Sequence, residues 1–230
     1  MTSGASPEDD IISAWVANAG PWIVAVRSRA IESRRAVTDA AVVAAVIKHQ
    51  PRTVLDVGCG EGWLARSLAP QGCQVTGIDA VAPLIDVARS SGDGDFRVLS
   101  FGELARGQLG QTFDAVVCNF SLLGKTSVVE VVTAMPRLLN APGKLIIQTL
   151  HPLETCGDFP YRDGWREGSW AGLGEGFGAP APWYFRTLGS WVETLTVAGL
   201  TLAALEEPCH PQSGRPASVI FTAGLETPPP

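Results

Sequence analysis

Apolar residues follow a helical rhythm up to about residue 50 and an alternation of strands and helices after it. In residues 8–50, Gly20-Pro21 interrupts the helical spacing where a new helix can begin, because proline is tolerated in a first turn. We expect two or three helices there. From Pro51, β-branched runs predict strands at 53–57, 74–79, 96–99, 113–118 and 144–150, with helices at 64–69, 84–90 and 128–139 between them. This alternation indicates a mostly parallel sheet that is covered on both faces.

The alternation stops at His151. Residues 151–186 are rich in glycine, tryptophan and proline, which predicts a long irregular insertion. A helix at 187–198 and strands at 200–206 and 217–223 follow, and the turn-forming residues between these strands predict an antiparallel pair. The tail 228–230 is expected to be frayed. We therefore expect an N-terminal helical cap (1–50), an α/β core (51–150), the insertion (151–186) and a last part (187–230) that completes the same domain.

Composition excludes several classes of protein. Of the 230 residues, 46% are apolar and 17% are charged, which is typical of a globular chain and not of a disordered one. The net charge of -6 has the wrong sign for a surface that binds nucleic-acid phosphates. The apolar stretches fall short of the roughly 20 residues that cross a bilayer. No basic leader with an apolar run is visible at the N-terminus, so we expect a cytoplasmic protein.

The cysteines and histidines favour neither disulfides nor a metal site. Five cysteines, an odd number without a CxxC pair, predict reduced thiols in a cytoplasm. The three histidines show no HExxH spacing, and the neighbours Cys209 and His210 do not by themselves enclose a zinc ion. We therefore expect no metal.

The segment 54–63, VLDVGCGEGW, carries the clearest chemical signal, since a buried strand runs there into a glycine loop and then a helix. Gly58 and Gly60 allow the backbone to approach a ligand, and the following helix presents free N–H groups to it. The GxGxG spacing differs from the GxGxxG of dinucleotide-binding proteins. Asp79 ends the next strand 19 positions after Gly60, where an acidic side chain can accept hydrogen bonds from both ribose hydroxyls.

With this loop, Asp79 and the later strands FDAVVCN and PGKLIIQT in order, the sequence resembles the class I S-adenosylmethionine-dependent methyltransferases from about residue 50 onward. The resemblance implies a Rossmann-like, doubly wound α/β fold, with a seven-stranded, mostly parallel sheet whose last strand is antiparallel. It implies S-adenosylmethionine as cofactor and S-adenosylhomocysteine as product. By the same resemblance, Asp56 orders the loop around the methionine amino group and Asp79 holds the ribose. The other cofactor contacts that it implies near the loop are Gly58, Cys59, Gly60 and Ala80, the last against the adenine.

The ends of the third and fourth strands carry further candidates. Many relatives have an Asp after the third strand that accepts from the adenine amino group, whereas here Ser100 stands there, followed by Phe101. Ser100 is expected to accept the same hydrogen bond, and the alternative is an ordinary turn residue. Asn119 and Phe120 end the fourth strand, where relatives contact the cofactor. They do not form the Asn/Asp-Pro-Pro-aromatic motif of enzymes that methylate nucleobases or glutamine side chains, which argues against those acceptors.

His151 directly follows the fifth strand, at the sheet edge where ligands of open α/β sheets bind. An ordinary imidazole pKa of about 6.5 makes it the candidate general base for deprotonating an acceptor. The alternative is that it caps the strand and bonds a backbone carbonyl.

Residues 151–191 hold nine of the 17 aromatic residues of the chain. Large side chains either anchor a glycine-rich segment or form a lid or acceptor pocket, and for the segment as a whole we favour the second interpretation. The candidates for contact with the acceptor are Trp165, Trp183, Tyr184 and Arg186. For Arg186, an ion pair with Asp158 or Asp163 is the alternative.

Two groups of residues on the N-terminal helices have structural interpretations with a functional alternative. Trp15 and Trp22 are interpreted as part of a core stripe, on a helix that has the alternative of walling the pocket. The arginines at positions 27, 29, 34 and 35 are typical of a solvated helix face. Contact of one of them with the cofactor's carboxylate or with an anionic substrate is the alternative.

The function expected from the resemblance is transfer of a methyl group from S-adenosylmethionine to an O or N atom of a small metabolite, by in-line displacement. A small-molecule acceptor is expected because no module for nucleic acids or peptides accompanies the core, and the protein is expected to be a monomer or a homodimer. Three alternatives stay open: a protein that senses or sequesters the cofactor, a nicotinamide-dependent oxidoreductase and an aminopropyl transferase. The glycine spacing disfavours the oxidoreductase.

Overall fold

The computed structural model describes residues 6–225, which contain nine α-helices and nine β-strands. The helices are α1 (Pro7–Ala17), α2 (Ala19–Arg27), α3 (Asp39–Ile47), α4 (Trp63–Leu68), α5 (Ala82–Ser91), α6 (Phe101–Ala105), α7 (Thr126–Ala134), α8 (Pro152–Thr155) and α9 (Leu188–Val197). The strands are β1 (Thr53–Val57), β2 (Gln74–Asp79), β3 (Asp95–Val98), β4 (Phe113–Asn119), β5 (Leu139–Thr149), β6 (Gly164–Arg166), β7 (Trp183–Phe185), β8 (Leu200–Glu206) and β9 (Val219–Leu225). The tail 228–230, predicted to be frayed, lies outside the described residues.

Seven of the strands form one sheet, in the order β3-β2-β1-β4-β5-β9-β8. Strands β1 to β5 pair in parallel, and only β9 runs antiparallel to both of its neighbours, β5 and β8. This confirms the predicted fold class, a doubly wound α/β sheet with an antiparallel last strand. The order reverses direction between β1 and β4, which is the position where ligands bind in such sheets.

Apolar side chains of the central strands alternate between two cores, one on each face of the sheet. In β1, Leu55 and Val57 join the core under α7 and α9, whereas Val54 joins the core under α3 and α4. In β4, Val116 and Val117 divide between the same two cores. Successive residues of a strand point to opposite faces, so an unbroken apolar run is what a strand that is covered on both sides requires.

The N-terminal helices divide at a different residue from the predicted one. The break falls at Asn18, and α2 already begins at Ala19, so Pro21 lies inside the first turn of α2 instead of starting it. The first turn of a helix tolerates proline because its missing N–H has no partner within the helix. A π-helical segment, Arg34–Thr38, leads into α3.

Two further expectations are corrected by the observed elements. The insertion is not irregular throughout, because α8 follows His151 and the short strands β6 and β7 pair antiparallel. The helix α6 was not predicted at all. Its signal was nevertheless in the sequence, since Ser100 and Glu103 form a capping box at its start.

The N-terminal helix α1 is fastened to the core by one carboxylate. The Glu8 side chain accepts hydrogen bonds from the backbone N–H groups of Lys125 (3.0 Å) and Ser127 (3.1 Å), and also from that of Thr126. These N–H groups belong to the start of α7, where a helix has no partners of its own for them. Burial acts to raise the pKa of Glu8, but the hydrogen bonds from Ser127, Thr126 and Lys125 outweigh it and lower that pKa.

We expect Glu8→Ala to lower the free energy of unfolding by about 1 kcal/mol, the usual value of a lost helix cap. Because the pKa of Glu8 is lowered in the folded state, this contribution is present above its ordinary pKa of 4.5 and is lost as the pH falls through the lowered value. Urea unfolding of both proteins from pH 3 to pH 7 measures the effect. Glu130→Ala, on the exposed side of α7, is the matched control. A pH-independent difference between Glu8→Ala and the wild type would contradict the assignment.

Candidate functional site

The glycine loop between β1 and α4 is held at the carboxyl ends of β1 and β2. The backbone N–H groups of Gly58 and Cys59 both donate to the carbonyl oxygen of Ile78, at 2.8 and 2.9 Å. Gly58 and Gly60 have φ angles of 77° and 56°, in the left-handed region that favours glycine. The thiol of Cys59 is buried, and burial raises its pKa, so Cys59 contributes its backbone to the loop and no reactive thiolate.

Gly58 is also a place of close approach. A Cβ built on Gly58 lies 2.3 Å from the Cβ of Ser121, which is closer than real atoms approach. The Ser121 hydroxyl donates to the carbonyl of Val57 at 2.6 Å, so the chain after β4 is tied to the start of the loop. A residue with a side chain at position 58 would therefore be strained at this φ angle and would overlap Ser121.

Asp56 lies beneath the loop and is 2% exposed. Its Oδ2 atom has no hydrogen-bond partner among residues 6–225. Burial, with the negative charge of Asp79 as a second cause, raises the pKa of Asp56 from its ordinary value of 3.8 to about 7. A buried carboxylate without a partner is costly, and a cationic group placed beside it would remove that cost.

Asp79 ends β2 and supports the glycine loop. Its Oδ2 accepts from the N–H of Gly60 and its Oδ1 from the N–H of Val81, both at 2.9 Å. Burial raises the pKa of Asp79 despite these N–H groups, which act in the opposite direction. Ala80 follows it on the same turn and is half-buried. The carboxylates of Asp56 and Asp79 thus flank the loop from two adjacent strands.

Glu61 is a residue of the loop that sequence reasoning missed. Its side chain is fully buried and pairs with Arg66 of α4 at 2.6 Å and with Arg27 of α2 at 3.4 Å. Arg27 therefore joins the cap to the glycine loop and is not simply part of a solvated face. The guanidinium of Arg34 lies 4.5 Å from the ring centroid of Trp63, just after the loop.

Ser100, at the end of β3, is engaged within its own helix. Its hydroxyl donates to Glu103 Oε2 at 2.7 Å and accepts from the Glu103 N–H at 3.3 Å. The hydrogen bonds from the side chain and backbone of Ser100 lower the pKa of Glu103. This geometry favours the turn interpretation of Ser100 over contact with adenine. Phe101 follows in α6 and is half-buried against the core.

Asn119 and Phe120 end β4 beside a buried polar network. Gln148 of β5, 1% exposed, donates through Nε2 to Asn119 Oδ1 (2.7 Å) and to the carbonyl of Thr38 (3.0 Å). Phe120 has a φ of 52°, an unusual value for a residue with a side chain, and such outliers occur often at functional sites. Gln148 orients Asn119. No sequence pattern points to Gln148, because its partners come from two distant segments.

His151 has both ring nitrogens engaged. Nδ1 accepts from the N–H of Leu153 at 3.2 Å, so Nε2 carries the proton and donates to Glu207 Oε1 at 2.7 Å. The ring is 2% exposed and caps the short helix α8. The geometry favours a structural role, with a helix cap in place of the expected bond to a carbonyl, and leaves no free lone pair for a general base.

The insertion hairpin of β6 and β7 sits on the chain after β4. Arg186, 4% exposed, donates to the carbonyls of Gly124 (2.8 Å) and Lys125 (2.7 Å), and burial lowers its pKa. Its hydrogen bonds therefore go to carbonyls, and neither Asp158 nor Asp163 is its partner. The other predicted acceptor residues lie on the same strand pair. The ring centroids of Trp165 and Tyr184 are 5.4 Å apart in an edge-on arrangement, and those of Trp183 and Phe185 are 6.0 Å apart.

Two other features, a metal-binding cluster and a membrane-spanning helix, are absent from residues 6–225. The described residues hold no cluster of three or more His, Cys, Asp or Glu side chains arranged for a metal ion. None of the described helices is both long and apolar enough to span a bilayer.

Comparison with known proteins identifies the central segment. Residues 54–143 match the family model of a methyltransferase domain. A ubiquinone biosynthesis O-methyltransferase of Xanthomonas oryzae is 45% identical over 103 residues, and one of Xanthomonas axonopodis is 40% identical over 114 residues. These matches cover 43% and 47% of this chain and the same shares of the relatives, so the chain spans less than half the length of the curated relatives it matches.

Solved structures match over nearly the whole chain. A 1,6-didemethyltoxoflavin-N1-methyltransferase of Burkholderia thailandensis, with 1,6-didemethyltoxoflavin and S-adenosylhomocysteine bound, has a TM-score of 0.66 at 20% identity and covers 99% of this chain and 93% of its own. The magnesium protoporphyrin IX methyltransferase of Synechocystis, with S-adenosylmethionine bound, has a TM-score of 0.66 at 16% identity and covers 98% of this chain and all of its own. At these identities the likeness is one of fold.

A comparison of Gly58 with Gly72 separates the cost of steric overlap from the cost of backbone strain. Both have a positive φ, but a Cβ at Gly72 meets nothing within 4 Å, whereas one at Gly58 overlaps Ser121. We expect Gly72→Ala to cost about 1 kcal/mol of unfolding free energy, from backbone strain alone. We expect Gly58→Ala to cost about 1–3 kcal/mol more, because of the overlap. Equal losses in urea unfolding would show that the chain at Ser121 moves away freely.

The raised pKa of Asp56 predicts that the free energy of unfolding depends on pH. Because its pKa is raised in the ligand-free folded state, its contribution to stability is present below its ordinary pKa of 3.8 and is lost as the pH rises through about 7. Asp56→Asn should remove this loss, which is on the order of 4 kcal/mol for a shift of this size.

Urea unfolding of ligand-free protein from pH 4 to pH 8 measures the Asp56 effect. Asp114→Asn is a control of opposite sign, because a hydrogen bond from Asn140, with others from Thr53 and Arg52, lowers the pKa of Asp114 against the effect of burial. It should destabilise the protein at pH 7. Because the raised pKa of Asp79 contributes a slope of the same sign, the slope should become smaller in Asp56→Asn, and an undiminished slope would refute the role of Asp56.

Proposed function

We propose that this chain, which belongs to the class I S-adenosylmethionine-dependent methyltransferases, transfers a methyl group from S-adenosylmethionine to an O or N atom of a small metabolite. The observation that carries the proposal is the buried Asp56 carboxylate, whose Oδ2 has no partner among the described residues. No cationic side chain of residues 6–225 bonds to this oxygen. The α-amino group of S-adenosylmethionine is a cation that fits the donor and acceptor inventory of the site.

The remaining loop residues fit the other parts of the same molecule. Asp79, at the end of β2, is the acceptor for ribose hydroxyls, in addition to the N–H groups that it already binds. Gly58 and Gly60, without side chains, let the backbone lie close to the methionine part. Asn119, oriented by Gln148, and Phe120 border the site at the end of β4. Ala80 and Phe101 are the candidates for contact with adenine.

S-adenosylmethionine supplies a sulfonium-bound methyl group: the acceptor lone pair forms the new bond to carbon as the carbon–sulfur bond breaks, and its electron pair returns to sulfur. The task of the protein is to hold the acceptor in line and to exclude water. Orientation of this kind contributes up to about 7–11 kcal/mol. The proton of the acceptor leaves to solvent when the methylated product is released, since His151 caps α8 with one nitrogen and donates to Glu207 with the other. His151 is therefore given no role as a base.

Three features support a small acceptor. The matched relatives are named as O-methyltransferases of ubiquinone biosynthesis, and a matched structure is named as an N1-methyltransferase with 1,6-didemethyltoxoflavin bound. In this chain, Trp22 and Arg27 of the cap contact the glycine loop, and Arg186 of the insertion binds the chain after β4. Both segments thus border the carboxyl edge of the sheet, which favours an acceptor that is enclosed over one that is docked on a surface. The five cysteines are free, in keeping with a reducing compartment, and we infer a cytoplasmic reaction.

Calorimetric titration with S-adenosylmethionine and S-adenosylhomocysteine tests the cofactor site. We expect micromolar binding by the wild type and a loss of at least tenfold in Asp79→Ala, because a charged hydrogen-bond partner is removed. Asp93→Ala, an exposed aspartate after α5, is the matched control. Affinity should fall as the pH drops below about 7, where Asp56 becomes protonated, and Asp56→Asn should abolish that dependence. A folded wild type that binds neither compound would refute the proposal.

A further inference from the structure

Four aromatic rings from the cap and the insertion meet in one cluster, which we call the cap–insertion cluster: Trp15, Trp22, Trp170 and Phe177. Trp15 packs edge-on against Trp22 at 5.1 Å and against Trp170 at 5.3 Å. Trp170 in turn stacks on Phe177 at 4.8 Å. The contact between Trp15 and Trp170 joins two segments that are more than a hundred residues apart, so the cluster forms only when cap and insertion come together.

The cluster lies beside the glycine loop. The nearest atom to a Cβ built on Gly60 is the indole nitrogen of Trp22, at 3.6 Å. Arg34 also approaches Trp22, with its guanidinium 5.8 Å from the ring centroid. A molecule held at the cluster would therefore adjoin a cofactor held at the loop. The hairpin aromatics Trp165 and Tyr184 instead pack together over the chain after β4.

The side chain of Asn18 holds the backbone of the insertion against the cap at this point. Asn18, 1% exposed, accepts from the N–H of Gly178 at 2.7 Å and donates to the carbonyl of Ala179 at 3.2 Å. These hydrogen bonds fix the segment that carries Phe177, and Phe177 supports the face of Trp170. The position of the Trp170 ring therefore depends on both segments.

The indole N–H of Trp170 is buried and has no acceptor among residues 6–225. Buried tryptophans usually find a partner for this group, and one without a partner destabilises the protein until an acceptor atom arrives. Trp170 thus supplies a hydrogen-bond donor inside an aromatic surrounding, which Trp15 and Trp22 link to the glycine loop.

We propose that the cap–insertion cluster is the acceptor site, and that it takes a planar aromatic compound whose oxygen accepts the hydrogen bond of Trp170. The inference rests on the proposed function and adds to it the class of acceptor and the residue that selects it. Trp15 gives up its edge contact with Trp170 to the acceptor ring, while Phe177 keeps Trp170 in place. The surrounding aromatic rings favour flat π systems over saturated rings. Trp170 rejects compounds of the same shape that lack the oxygen, because its N–H then stays unpaired.

Titration of aromatic probes into the protein saturated with S-adenosylhomocysteine tests the inference. Catechol, naphthol and protocatechuate are the planar probes, and cyclohexanediol is the saturated counterpart of catechol. We expect at least one planar probe to bind, and catechol to bind at least tenfold more tightly than cyclohexanediol. In Trp170→Phe, which keeps the ring and removes the N–H, affinity for the planar probe should fall about tenfold, the effect of one hydrogen bond.

Two controls separate this outcome from misfolding and from failure of the proposed function. Trp170→Phe should keep its melting temperature and its affinity for S-adenosylhomocysteine. Trp191→Phe, in the separate core formed with Phe221, should bind the probe as the wild type does. Intact binding of S-adenosylhomocysteine without binding of any planar probe, or equal probe affinity in Trp170→Phe, overturns the acceptor site alone. If the wild type does not bind S-adenosylhomocysteine, the proposed function is overturned and the inference with it.

Discussion

A desolvated negative charge at the carboxyl end of β1 is the constraint on which the site depends. The sheet buries Asp56 on both sides, and the nearby N–H groups of Gly58, Cys59 and Gly60 point to other acceptors, Ile78 and Asp79. The loop is thus ordered without neutralising Asp56. Burial near a second carboxylate raises the pKa of Asp56 towards neutrality, so the ligand-free protein holds this site at a cost that a cationic ligand relieves.

The cap, the insertion and the chain after β4 stabilise one another at that same edge. Glu8 of α1 binds the N–H groups at the start of α7, while Arg186 binds the carbonyls of Gly124 and Lys125 just before it. The Tyr184 N–H donates to the carbonyl of Leu123 as well. The short segment between β4 and α7 is therefore held from two directions by distant parts of the chain.

The sheet and the glycine loop were predictable because their causes are local. Apolar runs give β1 and β4, GxGxG gives the loop, and Asp79 follows at a fixed distance. The site side chains were harder to predict. His151 is a candidate base by its position in the sequence, but its hydrogen-bond partner, Glu207, lies 56 positions away in the chain. Arg186 likewise donates to carbonyls 62 and 61 positions away. The helix cap at Ser100 was predictable from the Ser-x-x-Glu pattern of Ser100 and Glu103. Glu61 and Gln148 gave no comparable signal, since their roles depend on which helices and strands lie against them.

The antiparallel strand β9 lies between β5 and β8, and all seven strands of the sheet come from residues 53–225. Neither α1 and α2 nor the insertion contributes a strand to that sheet. The cap contacts the glycine loop through the side chains of Trp22 and Arg27, and the insertion is joined to the cap through the side chain of Asn18. Changes in their length or composition therefore leave strand register untouched. Substrate preference in a protein built this way can diverge quickly during evolution, while the machinery beneath it is inherited unchanged.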